Sequence, residues 1–323
     1  MMIDLKGLRI LFIGIGFYDY DYTIKSFLEG KGAFVYYFSS VFYSWQKRLC
    51  IRLNKEKLAS KWSSKQILEK INGAPQNIDL IFIIKAEDFR QEHIDAMDRK
   101  YRDIPKILYL WDSLVRLPNR ELLLKSFSRI ITFDRKDAES YNLEFRPLFA
   151  RNVRRTSTSD IKYDLSFIGF MHSIRYRVLY QIKQELIRKG IRYKFILTTG
   201  NFNKWYNLHV THSVKKEDED MLYTSNLTYE EYMEILRNSN VILDISHPKQ
   251  TGLTMRTIET LSLGKKILTT NNDIINYSFN KNQYRVLNLE SGLDYSFLTD
   301  SSLEESDMRK FTIDSFIEDI FRL

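Results

Sequence analysis

One cysteine, Cys50, stands in a chain of 323 residues, so no disulfide framework holds this fold. The five histidines are scattered, without metal-ligand spacing, so no metal cluster is expected. No apolar stretch approaches the ~20 residues that span a bilayer. No charged start followed by an apolar run opens the chain, so a cytoplasmic protein is expected. Repeats and low-complexity tracts are also missing. What is present is globular in composition: 44% hydrophobic residues and 28% charged. Twenty tyrosines and 21 phenylalanines suit either ring-lined pockets or a tyrosine-rich core. A formal charge of +8 admits phosphorylated substrates, anionic lipid or nucleic acid as partners without choosing among them. The length suits two domains of roughly 150 residues each.

The densest signal runs from Val241 to Thr270, VILDISHPKQTGLTMRTIETLSLGKKILTT. A β-branched run, a loop with Gly252, a helix from Met255 to Leu263, Gly264 and a second apolar run make a strand–helix–strand unit. Arg256 and Glu259 are three apart near the helix start, where backbone N–H groups also point at an anion. An arginine fork suits a diphosphate, and a carboxylate suits a pair of sugar hydroxyls. An ordinary surface pair on a helix has the same spacing.

The first half opens on a buried-strand run, Leu8 to Gly14, and a Gly-x-Gly, Gly14 and Gly16. Asp19 stands where a dinucleotide fingerprint has its third glycine, which removes the main support for hydride transfer. The glycines are read as a tight turn leaving space for a ligand, and Asp21 as the cap of a helix from Tyr22 to Leu28. Further strands are expected at 33–38, 79–84, 104–110, 129–133 and 145–149. Lys85 and Asp112 follow two of these at the carboxyl edge, where open α/β sheets bind ligands; a turn or cap would also account for Asp112. Asp134 is placed to cap a helix containing Asp137. Between Trp45 and Trp62, six Lys or Arg face one Glu, with Trp45, Leu49 and Leu53 at helical spacing. That segment reads as a solvated basic helix or as a surface touching anionic lipid and a lipid-linked acceptor; without a recognised module, nucleic acid is not expected.

Arg151 to Asp160, polar and unpatterned, reads as a linker between a domain at 1–150 and another at 161–302. The second series has strands at 163–169, 193–197, 241–245, 267–270 and 284–287, and helices at 175–189 and 228–237, the latter with a Thr228/Glu231 capping box. Trp205 to Asp220 is expected to be an irregular excursion.

The order Gly252, Arg256, Glu259, Gly264 resembles the C-terminal-domain signature of GT-B glycosyltransferases, in the CgeB-like and "glycosyl transferases group 1" branches. ILYLWDSLVRLPN and RIITFDRKDAESYNLEFRPLF are similar to CgeB-related and capsule-type members, and SFIG with its basic loop resembles their second-domain βα turn. In the group 1 pattern, E-x7-E, Glu259 matches the second Glu, which holds the donor ribose. Thr251 stands where the first Glu would be, and Gly252 matches the glycine after it. The resemblance implies an α/β GT-B fold, two Rossmann-like domains with a cleft between them, and a last helix, about 303–323, packing back on the first domain. It implies transfer of a sugar from a nucleotide-diphosphate sugar to a glycan or lipid-linked glycan in capsule or lipopolysaccharide synthesis, in the cytoplasm or at the inner membrane face. Donor contacts would come from Gly169, Arg177, Gly252, Thr254, Arg256 and Glu259. Asp112 is the candidate base and Lys85 a second catalytic candidate, and Gly14, Gly16 and Asp19 belong to the acceptor side; no metal or cofactor is expected. The alternatives are a sugar-nucleotide 2-epimerase and a catalytically silent binding or scaffold protein.

Overall fold

A computed structural model describes residues 4–16, 19–41, 56–151, 161–225, 227–288, 290, 292–300, 302 and 304–322. The chain divides into two compact units. One holds residues 1–151, 249–252 and 310–323; the other holds 152–248 and 253–309. The linker expected at 151–160 lies outside the described residues beyond Arg151, as do 45–55 of the basic segment. Residues 56–62 begin a helix.

The first unit is a parallel sheet of β1 (Arg9–Gly14), β2 (Phe34–Ser39), β3 (Leu80–Ile84), β4 (Lys106–Leu110), β5 (Arg129–Thr132) and β6 (Glu144–Phe145), ordered β2-β1-β3-β4-β5-β6. Its helices are α1 (Tyr20–Gly30), α2 (Glu56–Gly73), α3 (Gln91–Lys100), α4 (Arg120–Ser126) and α5 (Arg135–Tyr141). β1, β3 and β4 are almost continuously apolar because helices cover both faces of a parallel sheet. Order reverses between β1 and β3, so the crevice beyond their carboxyl ends is the sheet's switch point. β6 ends at Phe145, well short of Phe149, because Pro147 has no N–H for the ladder.

The second unit repeats the plan with β7 (Tyr163–Phe170), β8 (Tyr193–Thr198), β9 (Leu222–Tyr223), β10 (Ser239–Asp244), β11 (Lys266–Thr269) and β12 (Tyr284–Val286), ordered β12-β11-β10-β7-β8-β9. Its helices are α6 (Ser173–Lys189), α7 (Asn201–His209), α8 (Tyr229–Arg237), α9 (Met255–Ser262) and α10 (Tyr295–Thr299). Here the order reverses between β7 and β10. Residues 205–220 are not an irregular excursion: they hold most of α7 and a 3-10 turn, Lys216–Met221. Asp218, fully buried, fixes that turn by accepting from Lys183 Nζ at 2.6 Å and Tyr176 Oη at 2.6 Å. The exposed rings of Phe202, Trp205 and Tyr206 hid the helix by breaking the usual apolar-in pattern.

The last helix, α11 (Ile313–Ile320), belongs to the first unit. Phe316 packs its ring 4.6 Å from that of Phe149 and 5.0 Å from that of Tyr109, and Arg146 Nε pairs with Asp319 at 2.8 Å. The loop 249–252 also belongs to this unit, held by Asp134. That buried carboxylate caps α5 through the N–H groups of Lys136 and Asp137, and accepts from Ser113 Oγ, Thr251 Oγ1, Thr251 N (2.9 Å) and Gly252 N (3.2 Å). Burial alone would raise its pKa, but these donors hold it below the usual carboxylate range.

Neighbouring Asp137 has one strong donor, Leu114 N at 2.6 Å, and burial next to the Asp134 charge pushes it up to about 6. With an unfolded value near 3.8, the folded state binds the extra proton between about pH 4 and 6. Stability from this group is therefore present below pH 4 and lost as pH rises to 6. Asp137→Asn should raise stability at pH 7.5 by up to about 2 kcal/mol and leave it unchanged at pH 4, measured by urea unfolding at both values.

Candidate functional site

A concentration of buried polar groups lies at the switch point of the second sheet. Asp244 ends β10, fully buried. Its carboxylate accepts from Arg256 Nη1 at 2.7 Å, Thr254 Oγ1 at 3.1 Å, Thr257 Oγ1 at 3.2 Å and Thr269 Oγ1 at 3.3 Å. Four donors from α9 and β11 satisfy the ion, as a charge without access to water requires. They also fix how α9 starts: Thr254 is its N-cap, accepting from Thr257 N.

Arg256 carries the network across to β7. Its Nη2 donates to the carbonyl of Ile168, and its guanidinium lies over the Phe167 ring, 4.9 Å from the centroid. The register that pairs Ser166 with Ile242 brings Ile168 level with Asp244, so one arginine spans the two strands that flank the switch point. Gly169 makes this approach possible. A Cβ there would lie 2.9 Å from Phe167 Cζ and 3.3 Å from Arg256 Nη2. Its missing side chain therefore makes room for protein atoms.

Glu259, on the same helix as Arg256, is 2% exposed. It accepts from Tyr229 Oη at 3.0 Å, and burial and the Glu259 charge push the pKa of the nearby Tyr232 hydroxyl far up. Arg177 is exposed in the second turn of α6 and makes no hydrogen bond to this network among the described residues, whereas Arg175 Nη1 reaches the Phe170 carbonyl at 3.2 Å. The structure thus brings Gly169, Thr254, Arg256 and Glu259 together and leaves Arg177 outside.

Gly252 belongs to the first unit, where a Cβ would lie 2.5 Å from the Phe133 ring. Packing demands this glycine. Thr251 beside it is bound through N and Oγ1 to Asp134; a glutamate there would bring a second carboxylate against the first.

In the first unit, Gly14 does not leave space for a ligand as expected. A Cβ on Gly14 would lie 2.2 Å from an Asp21 carboxylate oxygen, and Gly16, at φ 66°, donates its N–H to Asp21 at 2.5 Å. Nor does Asp21 cap α1, since it lies inside the first turn and also accepts from Tyr37 Oη at 2.9 Å. Asp19 is the exposed N-cap residue, left-handed at φ 59°.

Lys85 follows β3 at that sheet's switch point, where Lys85 (φ 71°) and Ala86 (φ 53°) both adopt the left-handed region, a strain that non-glycine residues rarely carry. Lys85 Nζ contacts Asp112 Oδ2 and Glu87 Oε2, each at 2.8 Å, and Arg116 Nη1 holds Asp112 Oδ1. Burial lowers the lysine's pKa, but the two carboxylates outweigh it and the net shift is upward, so the ammonium persists at neutral pH. A cation therefore sits on each oxygen of Asp112.

No protein-family model matches the chain, and no curated protein resembles it in sequence. Solved structures resemble it in fold. The apo structure of OtsA has a TM-score of 0.61 at 11% identity, with 98% of this chain and 100% of that one covered. A putative UDP-N-acetylglucosamine 2-epimerase from Listeria monocytogenes has 0.55 at 9% identity, covering 97% and 94%. A glycosyltransferase from Rickettsia africae ESF-5 has 0.51 at 12% identity, covering 97% and 93%. With its two parallel six-stranded α/β sheets, the chain has the GT-B fold.

Asp244 and the two tyrosines were not singled out from the sequence. An aspartate ending the strand before an arginine-bearing helix, with a threonine at the cap, is the pattern that points to the first. If Asp244 and Arg256 form a coupled buried pair, Asp244→Ala should cost about 3–5 kcal/mol by leaving the guanidinium uncompensated. Adding Arg256→Met should then recover at least about 1 kcal/mol. Chemical denaturation of the single and double variants measures this.

Proposed function

We propose that this chain is a glycosyltransferase that takes a sugar from a nucleotide-diphosphate donor held at the β7/β10 switch point. The observation that carries the reading is Arg256, fixed by Asp244 and Ile168 at the edge where open α/β sheets bind nucleotides, with Glu259 on the same helix. Its Nε, buried and without a partner among the described residues, is a donor that an anion would satisfy. The α9 N-terminus at Thr254 adds backbone N–H groups for the phosphates, and Glu259 accepts from the ribose. Departure of the nucleoside diphosphate leaves negative charge on its terminal oxygen, which this arginine and helix end would stabilise.

Lys85 and Asp112 are the candidates on the acceptor side. In inverting chemistry Asp112 would take the acceptor proton once Lys85 or Arg116 shifts to the acceptor; in retaining chemistry the trio would only orient it. The acceptor class we favour is a glycan or lipid-linked glycan of a surface polysaccharide, with the basic segment 45–62 meeting anionic lipid from the cytoplasmic side. No described helix is long and apolar enough to cross a membrane.

Two conservative variants separate the donor roles. Arg256→Lys keeps a cation opposite Asp244 but loses the fork, so it should weaken a nucleoside diphosphate and its sugar ester by about tenfold and the free nucleoside hardly at all. Glu259→Gln should weaken all three, because each carries ribose. Calorimetry with nucleoside, diphosphate and sugar nucleotide reads the pattern, and unchanged affinities in both variants would remove the assignment. Turnover should also require an added acceptor. Conversion of the sugar nucleotide without one would favour an epimerase, and binding without any turnover a silent relative.

A further inference from the structure

We propose that Tyr229 is a plug that competes with ribose for Glu259, its hydroxyl holding the carboxylate as a ribose hydroxyl would and withdrawing when a ribonucleotide binds. This rests on the reading of Glu259 as the ribose acceptor. A carboxylate that is 2% exposed meets a ligand only if something covering it moves, and two tyrosines of α8 lie near it: Tyr229, which donates to it at 3.0 Å, and Tyr232, on whose hydroxyl its charge acts. The two differ in position. Tyr232 lies inside the helix, half-buried, where the charges of Glu259 and Arg256 both act on its hydroxyl. Tyr229 is the first residue of α8 and partly exposed, its ring 6.1 Å from that of Tyr232.

The helix start does not depend on the Tyr229 side chain. Thr228 Oγ1 accepts from Glu231 N at 3.2 Å, and Glu231 Oε2 accepts from Thr228 N at 2.7 Å, a closed capping box that stays made if Tyr229 swings out. A phenol and a sugar hydroxyl are interchangeable to a carboxylate, since each gives one O–H. The exchange therefore leaves Glu259 hydrogen-bonded before and after, avoiding the cost of a stripped buried charge. It also sets a selectivity: only a ligand that presents a sugar hydroxyl to Glu259 can replace what Tyr229 gives up.

Tyr229→Phe removes the competing donor and keeps the ring. Calorimetry would first identify which of UDP, ADP and GDP the native protein binds most tightly, then compare that nucleotide with its 2′,3′-dideoxy counterpart on both proteins. The expected result is ribonucleotide binding tightened about tenfold in Tyr229→Phe, the scale of one hydrogen bond to a charged group, with dideoxynucleotide binding unchanged. Equal or weaker ribonucleotide binding, or the same shift for both ligands, would overturn the plug while leaving the ribose assignment standing. No binding of any of the three by the native protein would remove both. Should Tyr229→Phe fail to fold, Tyr229→Leu carries the same comparison.

Discussion

A carboxylate cut off from water must find its counter-charge and donors inside the fold, and Asp244 is where this constraint organises the second domain. Four donors converge on it, three hydroxyls and one guanidinium. Each ties down a different piece: Thr254 the helix cap, Thr257 the first turn, Thr269 the end of β11, and Arg256 the neighbouring strand through Ile168. A buried ion pair adds little net stability over an apolar replacement, but it punishes every arrangement that leaves one partner alone. The result is an arginine fixed at the switch point by protein atoms, the preorganisation that the proposed stabilisation of a leaving diphosphate would require.

The first domain handles its polar groups at the corresponding edge differently. Asp21 fills the turn after β1, and Lys85 with Arg116 neutralises Asp112. Asp134 spends its hydrogen bonds on Thr251 and Gly252. Carboxylates here staple loops, and the strained backbone at Lys85 and Ala86 is the feature that stapling alone does not explain.

Much of the fold was legible because parallel strands buried on both faces read as unbroken apolar runs, such as Ile10 to Ile13 or Leu80 to Ile84. Arg256 and Glu259 were singled out by spacing and by resemblance, but not their partners, Asp244 and Ile168 for one and Tyr229 for the other, nor that Glu259 is buried rather than half of a surface pair. What the glycines make room for was not legible. Gly14 yields to Asp21 and Gly252 to Phe133, and a sequence does not say whether the space beside a glycine is taken by a ligand or by a distant side chain. Asp244 went unnoticed because its partners Thr254, Arg256 and Thr257 reach it only once α9 folds back over the end of β10, and Thr269 only once β10 and β11 are paired. Tyr229 was visible only as a helix-start residue, since its bond to Glu259 depends on how α8 and α9 pack. Residues 205–220 were misread because α7 exposes its aromatic rings.

The central claim is that the β7/β10 edge, with Arg256 and the start of α9, receives the diphosphate of a sugar nucleotide. Amide hydrogen exchange with and without a saturating nucleoside diphosphate tests it most directly. Slowed exchange is expected in peptides covering 168–172 and 253–259, with no comparable change at the carboxyl edge of β8 and β9. Protection confined to other segments, or no protection while calorimetry reports binding, would contradict it.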